Sequence, residues 1–236
     1  MIAKNQNDLL EPDFASGEII LIDKGIGFTS FNAVYKIRKT VNVKKVGHAG
    51  TLDPLATGLL ILCTGKKTKE ISSFQDLRKT YSGVITLGKR TASLDSEGEF
   101  IEEKGIDGIS ESMILESRNS FLGKILQTPP MYSALKVKGK RLYKYARNGI
   151  EIERMPREVE IYKFDIEKIE LPDVHFVVEC SKGTYIRTLA DDLGTKLNCG
   201  GYLSKLRREK IGEFDVSDAF TIDEFQKKYS RPLEAD

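Results

Sequence analysis

Gly47-His48-Ala49-Gly50-Thr51-Leu52-Asp53-Pro54-Leu55-Ala56-Thr57-Gly58 is the stretch on which the reading of this chain turns. Its glycines forbid a regular helix or strand and suit a tight, ordered loop. The only ionisable groups in it are His48 and Asp53. Pro54 fixes its own φ and biases Asp53 away from the α region, so local covalent chemistry partly sets the direction of that carboxylate. Leu59-Leu60-Ile61-Leu62-Cys63 follows, an apolar run of buried-strand length. The expectation is one acid carried on a stiff loop at the edge of a buried strand, a common way to hold a reactive group on a rigid support.

Working outward, residues 1–17 read as a loose leader and Glu18 to Ile22 as a short strand. Thr29 or Ser30 caps a helix over about 31–41, whose apolar members Phe31, Val34, Ile37 and Val41 recur at helical spacing. Helices are expected at about 68–77, 110–122, 185–198 and 221–229, with Gly149 closing a further one after Lys136 to Asn148. Strands are expected at about 80–87, 157–170, 174–181 and 203–211. Strands outnumber helices and the two alternate irregularly, which reads as α+β with a mixed, mainly antiparallel sheet.

Composition narrows the function classes. The chain has 236 residues, 37 basic and 35 acidic, for a formal charge of +2, so net charge gives no vote for nucleic acid. Cys63, Cys180 and Cys199 lack C-x-x-C spacing and read as reduced thiols of an intracellular protein. No apolar run reaches the roughly 18 residues of a membrane span, and the start of the chain is not a secretory signal. Cytoplasm is the default location.

Each candidate for chemistry has a plain alternative. Asp53 suits an ordinary Asp-Pro turn, and local sequence alone favours that. His48 lacks companions for a metal site: His175 is the only other histidine, and no H-E-x-x-H or cysteine cluster exists. Gly65-Lys66-Lys67-Thr68 is no phosphate loop, because Gly58 and Gly65 are too far apart and an apolar run separates them. Tyr81 sits on a strand, where tyrosine is usually half-buried packing. Tyr185 and Arg187 flank Ile186; on an extended backbone they share a face and aim at one pocket, against the alternative of a surface ion pair. Lys136, Lys138, Lys140, Arg141, Lys144 and Arg147, interleaved with Tyr132, Tyr143 and Tyr145, form the best basic patch, suited to phosphates and accessible bases. Arg207-Arg208 and Lys44-Lys45 are smaller clusters.

Together these pieces resemble one family. The loop 47–58 closely resembles the catalytic motif of the TruB family of tRNA pseudouridine synthases. Pro129-Pro130-Met131-Tyr132-Ser133-Ala134-Leu135-Lys136, Ser181-Lys182-Gly183-Thr184-Tyr185-Ile186-Arg187-Thr188-Leu189 and Leu206-Arg207-Arg208 are similar to further family blocks, in order, between about Glu18 and Ile222. The resemblance implies a pseudouridine synthase fold with a thumb-like RNA-gripping insertion at 123–152. It implies isomerisation of uridine 55 in the tRNA T-loop to pseudouridine, without cofactor or metal. Asp53 would be the nucleophile, attacking sugar or ring directly or assisting glycal formation. Tyr81 would stack on the flipped base and take the C5 proton, and Arg187 would pair with Asp53. Tyr185 and Leu206 would line the uracil pocket, His48 would support rearranged loop nucleotides, and Lys24 would bind substrate. Lys140 and Arg141 would grip T-arm phosphates.

That logic is physical. A nucleophilic carboxylate must stay ionised although burial raises its pKa, and a guanidinium opposes the rise. Extruding a stacked base costs a few kcal/mol, which aromatic stacking of about 1–3 kcal/mol offsets. Two departures stand out: Gly25 replaces a usual proline, which should loosen the Lys24 turn, and Ala92 replaces a common acid after Arg90-Thr91. The expected organisation is a leader at 1–17, a catalytic domain at 18–222 and a short tail at 223–236 without a full PUA domain. tRNA is the expected partner of a monomer needing no protein partner and no membrane. The rivals are a non-catalytic RNA binder and a guide-RNA-dependent catalytic subunit.

Overall fold

The computed structural model describes residues 1–5, 11–137 and 139–230. The chain runs through β1 (Ile19–Lys24), α1 (Ser30–Thr40), β2 (Val46–His48), β3 (Thr57–Thr64), a 3-10 segment (Gly65–Glu70), α2 (Ile71–Asp76), β4 (Lys79–Leu87), β5 (Lys89–Thr91), β6 (Phe100–Glu103), α3 (Glu111–Asn119) and β7 (Gly123–Gln127). It continues with β8 (Lys136–Val137), β9 (Lys140–Arg141), α4 (Leu142–Ala146), β10 (Arg157–Glu170), β11 (Asp173–Cys180), α5 (Ile186–Lys196), β12 (Gly201–Ile211), β13 (Phe214–Asp215), β14 (Phe220–Thr221) and α6 (Ile222–Tyr229). The fold is α+β, with mixed, mostly antiparallel pairing and flanking helices. Two compact units result: Met1–Tyr81 with Arg207–Asp236, and Ser82–Leu206. The chain passes from one to the other within β4 and within β12.

In the first unit the strand order is β14-β1-β3-β12, with β2 along β3 and β13 along β12. β1 and β3 are antiparallel, Ile19 facing Cys63 and Lys24 facing Gly58, while β3 and β12 are parallel. Side chains alternate across a sheet. Ile20, Ile22, Leu60 and Leu62 therefore pack with Ala33, Val34 and Ile37 of α1 and Phe225 of α6. Leu21, Leu59, Ile61 and Cys63 pack with Phe74 of α2 and Ile211. Both faces of β3 are covered, which is why its sequence reads as an unbroken apolar run instead of an alternation.

In the second unit β4, β11, β10 and β7 lie in that order, with β10 antiparallel to both β11 and β7. Phe164 meets Phe121 and Phe176 edge-to-face. α5 buries Ile186, Leu189 and Leu193. Gly194 on α5 is required by close approach: a Cβ there would lie 2.1 Å from the Gly201 nitrogen.

Several expectations shift. The described part of the segment read as a leader is docked: Ile2 is buried, its N–H donates to Ile19 O at 2.7 Å, and Lys4 N donates to Asp218 O at 2.7 Å. Residues 6–10 of that segment, 231–236 of the tail and Lys138 of the basic patch lie outside the described residues. Helix α1 buries Ser30, Ala33, Val34 and Ile37, leaving Phe31 outside the core. The row through Ala33 wins because its residues recur every three and four positions around Ile37, and Phe31 lies off it. The stretch 136–148 opens with the short hairpin β8–β9 and continues into the short α4, and Gly149, at φ +67°, follows the helix end. All three cysteines are buried without disulfides. Among the described residues no helix is long and apolar enough to cross a membrane.

Candidate active site

Residues 49–56 of this stretch connect the hairpin β2–β3, while Gly47-His48 and Thr57-Gly58, expected as loop, lie on its two strands; His48 faces Leu62 and Ala49 N donates to Ile61 O at 2.9 Å. Side chains from three other elements fix its backbone. Ser30, at the start of α1, accepts from Leu52 N at 2.8 Å and donates to Leu52 O at 3.0 Å. Lys24, fully buried at the end of β1, donates to Gly25 O, Phe28 O and, at 3.4 Å, Pro54 O. Gly27 N reaches the same Pro54 carbonyl at 2.9 Å. The ammonium thus ties together the turn in which Gly25 stands for proline. Arg208 of β12, only 2% exposed, donates from Nε to Leu59 O at 2.7 Å and from Nη2 to Gly50 O at 3.3 Å.

Asp53 therefore stands half-buried between Leu52 and Pro54, both held by side chains from outside the loop. The plain Asp-Pro turn is also present: Ala56 N donates to Asp53 O at 3.1 Å, which closes a turn with proline in its second position. Turn and chemistry are compatible, since this turn is closed by backbone groups. Gly58 ends the loop at φ +101°, and a Cβ there would lie 2.3 Å from Arg208 O. Only glycine lets β3 and β12 approach so closely at this point.

The Arg207-Arg208 cluster splits by strand alternation. Arg207 forms a two-pronged ion pair with Asp23, at 3.1 and 2.7 Å, while Arg208 turns inward to the loop. Tyr81 lies half-buried on β4 in the same unit.

The second unit holds the other candidates. Tyr185 is the N-cap residue of α5, and Gln127, itself 2% exposed, grips it. Tyr185 N donates to Gln127 Oε1 at 2.9 Å, and Gln127 Nε2 donates to Tyr185 O at 3.2 Å. The face shared on an extended backbone, expected for Tyr185 and Arg187, does not arise, because α5 begins at Ile186 and each helical residue rotates the chain by about 100°. Arg187, 6% exposed, donates from Nη1 to Asp95 Oδ2 and Ser93 O, both at 3.0 Å, and from Nη2 to Tyr132 O at 2.6 Å.

Asp95 is 2% exposed and organises its own loop. Its Oδ1 accepts from Ser93 Oγ and from Glu97 N, and Thr91 Oγ1 donates to its carbonyl. Ala92 donates from its backbone N to Glu99 O at 3.0 Å. Arg90 grips Asp191 with two prongs. Burial, reinforced by the neighbouring Asp191 charge, pushes the Asp192 carboxyl up to about 6. Leu206 is half-buried on β12. Lys140 and Arg141 are exposed on β9, and the turn after them folds back through Leu142 N to Leu135 O and Tyr143 N to Ser133 O.

Asp53, Tyr81, His48 and Lys24 thus belong to the first unit, and Arg187, Tyr185, Leu206, Lys140 and Arg141 to the second. Sequence reasoning misses Asp95 and Gln127, gives Ser30 no role beyond capping, and takes Arg208 only as surface charge or as part of a family block. Among the described residues no three His, Cys, Asp or Glu side chains are grouped to hold a metal ion.

Comparison with known proteins supplies independent information. Residues 38–186 match the family model described as TruB family pseudouridylate synthase (N terminal domain), and residues 187–234 match tRNA pseudouridylate synthase B C-terminal domain. The chain is 50% identical over 224 residues to a protein of Chloroherpeton thalassium named tRNA pseudouridine synthase B, covering 93% of each. It is 46% identical to the protein of that name from Flavobacterium johnsoniae, covering 91% of this chain and 97% of that one. Among solved structures, a chain in the crystal structure of a Cbf5-Nop10-Gar1 complex is similar at 27% identity and TM-score 0.70, over 97% of this chain and 63% of that chain. This chain therefore spans less than two thirds of that longer one.

Proposed function

The chain belongs to the TruB family of pseudouridylate synthases, and from that premise we propose that it isomerises uridine 55 in the T-loop of tRNA to pseudouridine, with Asp53 as nucleophile. The reaction breaks the bond between uracil N1 and ribose C1′, turns the base, and joins C5 to C1′, so the C5 proton leaves and the freed N1 takes up a proton. Asp53 supplies the carboxylate that engages the substrate. Tyr81 stacks on the extruded base and takes part in removing the C5 proton. Arg187 is the cationic counterpart that keeps the acid ionised. Tyr185 and Leu206 bound the uracil, His48 supports the displaced loop nucleotides, and Lys140 and Arg141 meet phosphates, while Lys24, expected to bind substrate, is fully buried and acts through the loop that it holds at Pro54 O. The reading needs no cofactor, metal or protein partner, and takes the working form to be a cytoplasmic monomer.

The observation that carries it is the pinning of the Asp53 loop by Lys24, Ser30 and Arg208. Binding energy is best used where a reacting group is already in place, and three buried side chains converging on one short loop supply that preorganisation. A turn with only a structural role has no need of them. The rival reading, a catalytic subunit that needs a guide RNA and partner proteins, draws on the chain in the Cbf5-Nop10-Gar1 complex only as a member of a protein assembly at 27% identity, against 50% to the Chloroherpeton protein, and ranks below.

The test uses T-arm RNA carrying tritium at uracil C5. The chain alone should release the label into water. Asp53→Asn should stop release while leaving RNA binding intact. Release at the wild-type rate from that variant would remove Asp53 from its role, and release only after a partner protein is added would favour the guide-dependent reading.

A further inference from the structure

Helix α1 carries a second face that the core does not use. Its buried row is Ser30, Ala33, Val34 and Ile37. On the outside Phe31 is 71% exposed and Tyr35 49%, and the Arg38 guanidinium lies 5.6 Å from the Tyr35 ring centroid. Residues 31, 35 and 38 are spaced four and three apart and so form one stripe, about 10 Å long at the helical rise. The stripe begins one residue after Ser30, whose hydroxyl holds Leu52 beside Asp53. Ile26, 72% exposed, lies in the turn just before the helix, whose Gly27 N bonds Pro54 O. Exposed apolar side chains thus flank the acid loop on the first unit.

The charge of the segment that carries this stripe is one-signed. Between Lys24 and Leu52 the sequence holds Lys24, Lys36, Arg38, Lys39, Lys44 and Lys45 and no Asp or Glu, in a chain whose formal charge is only +2. Among the described residues Lys36, Arg38, Lys39, Lys44 and Lys45 make no ion pair with any carboxylate. Arg38, Lys39, Lys44 and Lys45 are exposed. The segment thus carries a positive excess where apolar rings are also left in water; α6, which packs on α1, brings the acids Asp223 and Glu224, and Glu224 is paired with Lys4.

We propose that the outer face of α1, with Phe31, Tyr35 and Arg38 as its stripe and Lys39, Lys44 and Lys45 beside it, is an RNA-docking surface that takes unpaired nucleotides and the phosphates joining them. It rests on the reading that the chain acts on tRNA, and adds a contact surface in the first unit to the Lys140–Arg141 hairpin of the second. Two exposed planar rings, Tyr35 with the Arg38 guanidinium beside it, match a nucleobase, which presents a π-face only when unpaired. The unpaired cations match phosphate, which they bind by releasing counterions. An acidic peptide would satisfy the cations alone, and has no use for two exposed rings on the same helix face.

The experiment measures filter binding of the full chain to a T-arm hairpin across a salt series. Phe31→Ala with Tyr35→Ala should weaken binding about ten- to hundredfold at any one salt concentration, with the salt slope kept. Arg38→Ala with Lys39→Ala should lower the slope by about 0.7–0.9 for each phosphate that is no longer neutralised, and Arg38→Lys should retain it. Binding by both double variants that matches wild type at every salt concentration would overturn the surface. So would loss of binding to anionic lipid vesicles in the variants with RNA binding unchanged. A wild-type chain that binds the hairpin but never releases tritium from C5 would count against the catalytic reading alone.

Discussion

Two buried arginines, one in each unit, are satisfied differently. Arg208, in the first unit, gives its hydrogen bonds to the carbonyls of Leu59 and Gly50. Arg187, in the second, gives one to the Asp95 carboxylate and others to the carbonyls of Ser93 and Tyr132. Among the described residues no carboxylate lies within ion-pair distance of Arg208. Carbonyl dipoles alone can therefore hold a guanidinium in the interior when the result is a fixed loop. A carboxylate partner adds rigidity of a different kind: the two charges orient one another, and each becomes costly to remove without the other.

That contrast sets the order of expected effects. Arg187→Ala leaves Asp95 charged and buried without its cation, and should cost about 3–5 kcal/mol of stability in urea unfolding. Adding Asp95→Asn should recover part of the loss, because the stranded charge is gone; strict additivity of the two substitutions would mean they do not interact. Arg208→Met strands two carbonyls at about 1–3 kcal/mol each, but relieves the burial of a charge, so the net loss should be smaller, about 1–3 kcal/mol. Its larger consequence should be in turnover, since Gly50 and Leu59 bracket the Asp53 loop. If Arg208→Met destabilises as much as Arg187→Ala, the contrast between dipole-held and carboxylate-held arginine fails.

The same contrast explains what the sequence can reveal. The loop 47–58 is legible because glycine and proline act on their own backbone, and the double burial of β3 is legible as an unbroken apolar run. The α+β architecture follows from the mix of periodicities. Asp95 and Arg208 are not legible as organisers, because their work lies in contacts between residues 92 and 158 positions apart in sequence. No local pattern carries that information. Helical spacing assigns Phe31 to the core because it says that a stripe exists, but not which of two overlapping stripes faces the sheet; the small Ser30 and Ala33 decide it by letting α1 pack closely. An extended backbone through Tyr185 and Arg187 fails because the helix already begins between them.

The smallest effect tests the carboxylate-rich side of the comparison. α5 carries Asp191 and Asp192 side by side, and Arg90 gives its two-pronged grip to Asp191. Asp192 is left to burial and to its neighbour's charge, which together push its carboxyl from the usual 3.8 up to about 6. A folded pKa above the unfolded one means that folding favours the protonated acid. The penalty is absent below the unfolded pKa, grows as pH rises from 3.8 toward 6, and is complete above that. Asp192→Asn keeps the shape and removes the charge. It should raise stability at pH 7 by about 1–2 kcal/mol, after allowing for the part of the side chain that water still screens, and change little below about pH 4. Equal gains at both pH values would trace the benefit to packing and leave Asp191 and Arg90 a self-contained pair. A loss at pH 7 would mean that the ionised Asp192 is held by a donor, and that the second unit satisfies this acid as it satisfies Asp95.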